Sequence, residues 1–128
     1  MPAKHLFEYA VLRVVPRVER EEFLNVGVIL YCASQGFLQA TCELNEARLR
    51  AFTSSPPDLA DLRDRLRSFE RICQGQATGG PIGKLPPASR FRWLTAQRST
   101  IVQTSPVHPG LCEDAAVTLA QLHAALVQ

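Results

Sequence analysis

The stretch FLNVGVILYCASQGFLQATCEL, Phe23 to Leu44, decides the fold. Phe23 to Cys32 sets Leu24, Val26, Val28, Leu30 and Cys32 at alternate positions, while Phe37 to Leu44 alternates Leu38, Ala40, Cys42 and Leu44 with Phe37, Gln39, Thr41 and Glu43. Successive side chains of a strand point to opposite faces, so both segments read as strands with one apolar face. Ser34-Gln35-Gly36 reads as a three-residue hairpin loop, with Gly36 supplying the left-handed conformation of a bulge. That loop pairs Ala33 with Phe37 and sets Cys32 against Leu38, Leu30 against Ala40, Val28 against Cys42 and Val26 against Leu44. A slip of one residue brings Phe37, Gln39, Thr41 and Glu43 opposite the apolar face, so turn and pattern predict the same register. It also holds Cys32 and Cys42 too far apart along the hairpin for a disulfide.

Upstream, Leu6 to Val15 (LFEYAVLRVV) is rich in β-branched and aromatic residues and stops at Pro16, which cannot donate to a ladder. Its two faces, Ala10, Leu12 and Val14 against Phe7, Tyr9 and Val11, are both apolar, which predicts a strand covered on both sides. Arg17 to Glu22 is a polar link.

Downstream, Asn45 is placed to cap a short helix through Phe52, and a longer helix from Pro57 to Gln74 carries Leu59, Leu62, Leu66, Phe69, Ile72 and Cys73 on one stripe. Asp61 precedes Arg65 by one helical turn, a favourable exposed pair. Gly75 to Pro87 is rich in glycine and proline and reads as a loop of about a dozen residues, a length often functional in small domains. Ala88 to Ala96 is a short helix, Thr100 to Thr104 a fourth strand, and Asp114 caps a closing helix with the stripe Ala115, Leu119, Leu122 and Leu126, with Val117 and Val127 at its flanks. The expectation is therefore one α+β domain over residues 1–128, an antiparallel sheet of about four strands, three early and one late, with helices packed on it.

Composition narrows the function classes. The 128 residues are 46% hydrophobic and 20% charged with a formal charge of +2, which excludes disorder and predicts no bulk attraction to nucleic acid. No apolar run is long enough to span a bilayer and Met1 to Phe7 lacks a signal-peptide core, so a cytoplasmic protein with no membrane contact is expected. Cys32, Cys42, Cys73 and Cys112 form no CxxC or CxxH pair and read as reduced, mostly buried thiols; no metal and no cofactor are expected.

Few residues suggest chemistry. Gly79 to Lys84 (GGPIGK) has the glycines and lysine of a phosphate-binding loop, but Thr78 stands where that motif needs glycine, Leu85 where it needs Ser or Thr, and a helix precedes it. His123 borders the apolar stripe of the last helix. Arg90, Arg92, Trp93, Arg98, Ser99 and Thr100 gather guanidinium groups, an indole and two hydroxyls, the groups that hold phosphate, carboxylate or a stacked base. Arg13, unusual in an apolar strand, Asn25 and His108 in SPVHPG complete the candidate ligand-binding set: Arg13, Asn25, Arg92, Trp93, Arg98, Ser99, Thr100 and His108. The competing reading makes Trp93 core, Arg98 to Thr100 a turn and Arg13 a residue snorkelling to water.

Two blocks, YAVLRVVPRVEREEFLNVGVILYC (Tyr9 to Cys32) and FRWLTAQRSTIVQTSPVHPGLCED (Phe91 to Asp114), resemble the signature blocks of a bacterial family known as domain of unknown function 3037. The resemblance runs from about Leu6 to Val127. It implies a small stand-alone bacterial protein, encoded beside a HipA-like kinase homologue, and supplies no catalytic residues. The leading expectation is a non-enzymatic accessory or interaction module acting with that kinase homologue. The alternative is a binding module for a phosphorylated ligand or nucleic acid through the Arg-rich segment, and a third is an enzyme whose residues meet only in the fold, with His108 and Ser99 as participants. Convergence of Arg13, Arg92 and Arg98 in one pocket would favour the anionic ligand.

Overall fold

A computed structural model describes residues 3–75, 79–98 and 100–128. Strands β1 (His5–Val14), β2 (Leu24–Cys32) and β3 (Phe37–Cys42) are followed by α1 (Glu46–Phe52), α2 (Leu59–Gln74), α3 (Gly80–Gly83) and α4 (Pro87–Leu94), then β4 (Val102–Thr104), β5 (His108–Cys112) and α5 (Ala115–Leu126). The fold is α+β, with one antiparallel five-stranded sheet in the order β3-β2-β1-β4 and β5 also on β1.

β4 and β5 share the far edge of β1. Val102–Thr104 pairs with Leu12–Val14 and His108–Cys112 pairs with His5–Tyr9, so together they form one interrupted edge strand. β5 adds a strand to the four expected. Its sequence HPGLC carries Pro109, which argues against a central strand but is admissible at an edge.

Three sequence expectations need correction. First, the hairpin register is Cys32↔Phe37, Tyr31↔Leu38, Leu30↔Gln39, Ile29↔Ala40, Val28↔Thr41 and Gly27↔Cys42, one residue from the expected pairing. The loop has four residues because Ala33–Gln35 forms a 3-10 turn, closed by Gly36 at φ 59° donating to the Ala33 carbonyl. The polar residues this turns toward Val28 and Leu30 meet no penalty: Gln39 is exposed and the Thr41 hydroxyl is 2.7 Å from His123 Nδ1.

Second, β2 does not keep one apolar face. Leu12 pairs with Gly27 but Arg13 pairs with Asn25, so Val26 is the extra residue of a β-bulge. Val26 therefore joins Ala10, Leu12, Val14 and Ile29, while Val28, Leu30 and Cys32 face the other way.

Third, the expected loop from Gly75 to Pro87 contains α3, a helical turn with Pro81 at its second position. Residues 76–78 lie outside the described residues.

The sheet is covered on both faces, as β1 predicts. One core packs Leu62, Leu66, Phe69 and Ile72 of α2 and Phe91 and Leu94 of α4 on the Ala10–Leu12–Val14 face. The other packs Ala115 and Leu119 of α5 with Phe7, Val28, Leu30 and Cys32. Helix starts follow their caps: the side chains of Asn45, Asp58 and Asp114 each accept a backbone N–H of the first turn. Gln35 fastens the hairpin loop to α5, its Oε1 accepting from Ala115 N–H and its Nε2 donating to the Glu113 carbonyl, both at 2.8 Å. All four cysteines are free, and Cys32 and Cys42 sit on opposite faces of the sheet.

Candidate functional site

α4 opens with Pro87, whose fixed φ suits a first helical turn, and buries Phe91 and Leu94. Helical spacing then turns Arg92 and Trp93 outward, and Trp93 is 43% exposed. The helix ends where Thr95 N–H donates to the Phe91 carbonyl. Arg98 folds back on that end: its Nη1 donates to the Leu94 carbonyl at 3.3 Å and its Nη2 to the Trp93 carbonyl. A cation there completes free carbonyls and opposes the negative end of the helix dipole.

The Arg98 guanidinium also lies 4.5 Å from the centre of the Trp93 ring and 5.6 Å from that of Phe69. Burial lowers its pKa from the ordinary arginine value. Trp93, Leu94, Arg98 and Thr100 form one side of a notch of about 210 Å³, closed by Arg65, Ser68, Phe69 and Ile72 of α2 and by Val102. Thr100 is held by its hydroxyl, which donates to the Val102 carbonyl at 2.7 Å. The notch is chiefly apolar and has a charged rim. Such a shape receives a side chain or flat ring.

Arg13 and Asn25 lie on the opposite face of the sheet. They are cross-strand partners at the bulge, and Asn25 Nδ2 donates to the Leu126 carbonyl at the end of α5. The Arg13 guanidinium stacks 3.9 Å from the Phe23 ring centre. Arg13 Nε and Asn25 Oδ1 are buried without hydrogen-bond partners among the described residues, and desolvation lowers the Arg13 pKa. His108 occupies a third place, on edge strand β5, its ring 5.4 Å from that of Tyr9. Arg92 is exposed. Ser99 lies outside the described residues. Thus Trp93, Arg98 and Thr100 come together, whereas Arg13, Arg92 and Arg98 do not converge.

A family model for proteins of unknown function, DUF3037, matches residues 9–127. The chain belongs to that family. No curated protein and no solved structure matches it. The DUF3037 match spans both the notch and the Arg13–Asn25 pair.

Sequence reasoning missed the α2 half of the notch. Phe69 and Ile72 were assigned to the core stripe, where they do pack, and Arg65 to a solvated pair, where it does bond Asp61 at 3.1 Å. Nothing in their spacing signals a second role. Two thiols also meet one carboxylate: burial and Glu70 push the Cys42 thiol up, and burial pushes Cys73 up to about 12, with Arg90 opposing and Glu70 adding. Both are protonated near neutral pH, the wrong state for a nucleophile. Among the described residues no group of His, Cys, Asp or Glu has the arrangement to hold a metal, and no helix is long and apolar enough to cross a membrane.

Proposed function

We propose that this protein is a non-enzymatic accessory or interaction module that docks a protein partner through the Trp93 notch, the partner being a HipA-like kinase homologue. The observation that carries this reading is the indole of Trp93, exposed at the mouth of an apolar notch and held in place by Arg98. Tryptophan and arginine around a concave apolar centre are the residues that dominate protein interfaces, and a rigid aromatic loses little entropy on binding. The partner's identity comes from the family resemblance, which also implies a bacterial origin; the cytoplasmic setting rests on the sequence, where Met1 to Phe7 lacks a signal-peptide core. Co-purification with the kinase homologue tests the reading. Association at micromolar concentration, weakened by Trp93→Ala, is expected; no association and no effect on the homologue's activity overturn it.

A second reading, a binding module for a phosphorylated ligand or nucleic acid, draws on Arg13. Its half-buried guanidinium has no carboxylate partner among the described residues, and such a fork recognises phosphate or carboxylate well. This reading expects affinity that falls with salt and with Arg13→Met. Binding insensitive to both sinks it.

A further inference from the structure

The notch beside Trp93 carries charge of one sign. Its floor is the buried hydrocarbon of Phe69, Ile72, Leu94 and Val102, and its rim holds two guanidinium groups, Arg65 from α2 and Arg98 from the segment after α4. Among the described residues no carboxylate lines it.

The α2 sequence explains this. LADLRDRLRSFERICQ sets Arg65, Ser68 and Ile72 at helical spacing along the flank that faces the notch, while Glu70 falls on the flank that faces β3. The acids nearest on that helix are engaged, Asp61 by Arg65 Nε at 3.1 Å and Asp64 by Arg67 at 3.8 Å. Arg98 bonds only carbonyls and makes no ion pair among the described residues; nor does Arg92, exposed next to Trp93 in α4.

Both rim groups have donors left over. Arg98 gives one hydrogen each of Nη1 and Nη2 to the Leu94 and Trp93 carbonyls, and Arg65 gives only its Nε, so each fork keeps N–H groups for a ligand. Burial strips the Arg98 guanidinium of part of its water, which lowers its pKa. A carboxylate brought there replaces that lost hydration, in a setting where a charge-assisted hydrogen bond is stronger than on open surface. A nucleobase suits the notch less. Its two hydroxyls donate to backbone, Ser68 to the Asp64 carbonyl at 3.1 Å and Thr100 to the Val102 carbonyl at 2.7 Å, so the edge groups of a base would stay unpaired over a hydrocarbon floor.

We propose, resting on the docking role of the notch, that what it receives is an acidic peptide segment of the partner: one leucine or phenylalanine seated on the floor beside Trp93, flanked by carboxylates that reach Arg65 and Arg98. The apolar side chain supplies the anchor, and the two guanidinium groups select the charge of its neighbours.

Trp93 is the chain's one tryptophan, so its fluorescence reports on the notch directly. Random peptides displayed on phage are panned on the wild type after depletion on Trp93→Ala, and a selected peptide is synthesised and titrated. Enrichment of Leu or Phe flanked by Asp or Glu is expected, with a shift in Trp93 fluorescence on binding. Affinity should fall as salt rises, about tenfold or more when the peptide's acids are replaced by lysine, and about fivefold in Arg65→Gln. Arg65 is exposed and stands apart from the α4 cap, and circular dichroism checks that this variant folds. Selected peptides that are basic or uncharged overturn the proposal, as does no enrichment beyond the depleted pool, affinity indifferent to salt and to Arg65→Gln, or a single-stranded oligonucleotide that quenches Trp93 at lower concentration than any selected peptide. Docking and its chemistry fail separately. A kinase homologue held through Trp93 but insensitive to Arg65→Gln and salt keeps the docking role and removes the acidic segment, whereas acidic peptides that bind while the homologue does not keep the segment and remove that partner.

Discussion

Ser105 takes the place of a strand residue opposite Val11. Its backbone N–H donates to the Val11 carbonyl and its hydroxyl accepts from the Val11 N–H, each at 2.8 Å, and both residues are buried. The hydroxyl then donates to the Pro106 carbonyl at 2.9 Å. This exchange carries the ladder across the break between β4 and β5.

Ser105→Ala removes the acceptor and leaves a buried N–H unpaired in the middle of β1. The expected loss is about 1–3 kcal/mol of stability, because the desolvation cost of the orphaned donor exceeds the net value of the bond itself. Urea denaturation reads it as a lower midpoint with unchanged slope. An unchanged midpoint would show that the Val11 N–H finds another partner.

Gly27 is required by contact, not by backbone conformation. A Cβ there would stand 2.3 Å from the Thr41 carbonyl oxygen and 3.2 Å from Leu12 Cδ1, and the first is backbone of a paired strand that cannot swing aside. Gly27→Ala is expected to cost about 1–3 kcal/mol through overpacking, with the β2–β3 register displaced. Gly36, at φ 59° with no atom near its would-be Cβ, makes the control: Gly36→Ala carries conformational strain alone, on the order of 1 kcal/mol. Equal midpoints for the two variants would remove the steric argument.

The contrast between those glycines shows what the sequence makes legible. Gly36 announces its hairpin, and Asn45 and Asp114 announce their helices, because each acts on neighbours within a few residues. The register escaped because both faces of the sheet are covered: with α5 on one side and α2 on the other, apolar alternation no longer tells inside from outside. The Val26 bulge escaped for the same reason. β5 hid behind Pro109, and only its place at the edge admits it. At the candidate site, the local group Trp93, Arg98 and Thr100 was legible as a cluster. That Phe69 and Ile72 close the notch, and that Arg13 lies across the sheet from it, depends on packing that no spacing encodes.

Trp93 and Arg98 should separate binding from stability. Trp93→Ala removes a largely exposed ring and is expected to leave the thermal midpoint nearly unchanged, while association with the kinase homologue falls by about 2 kcal/mol or more, roughly 30-fold. Arg98→Ala uncaps α4 and loses the stacking on Trp93, so a stability loss of about 1 kcal/mol is expected alongside weaker binding. Isothermal calorimetry with parallel thermal melts distinguishes them. A Trp93→Ala protein that binds as the wild type does would place the docking surface elsewhere.

The buried thiols give the fold a limit at high pH. Burial first, with Glu70 adding and Arg90 opposing, raises Cys73 to about 12 from an ordinary value of 9.0. The folded state therefore keeps the proton while the unfolded chain releases it, so the unfolded state binds fewer protons between those values and stability falls as pH rises. Below about 9 the contribution is fully present; above it the loss reaches at most about 1.4 kcal/mol per pH unit for this thiol. Tyrosines and lysines also titrate at high pH, so the diagnostic quantity is the difference between wild type and Cys73→Ala in urea unfolding from about pH 8 to 10. Cys73→Ala should show the shallower decline, and maleimide should label Cys73 in the folded wild type far more slowly than in the unfolded chain. Parallel declines in the two proteins, or fast labelling of the native state, would mean that Cys73 ionises as freely in the fold as outside it.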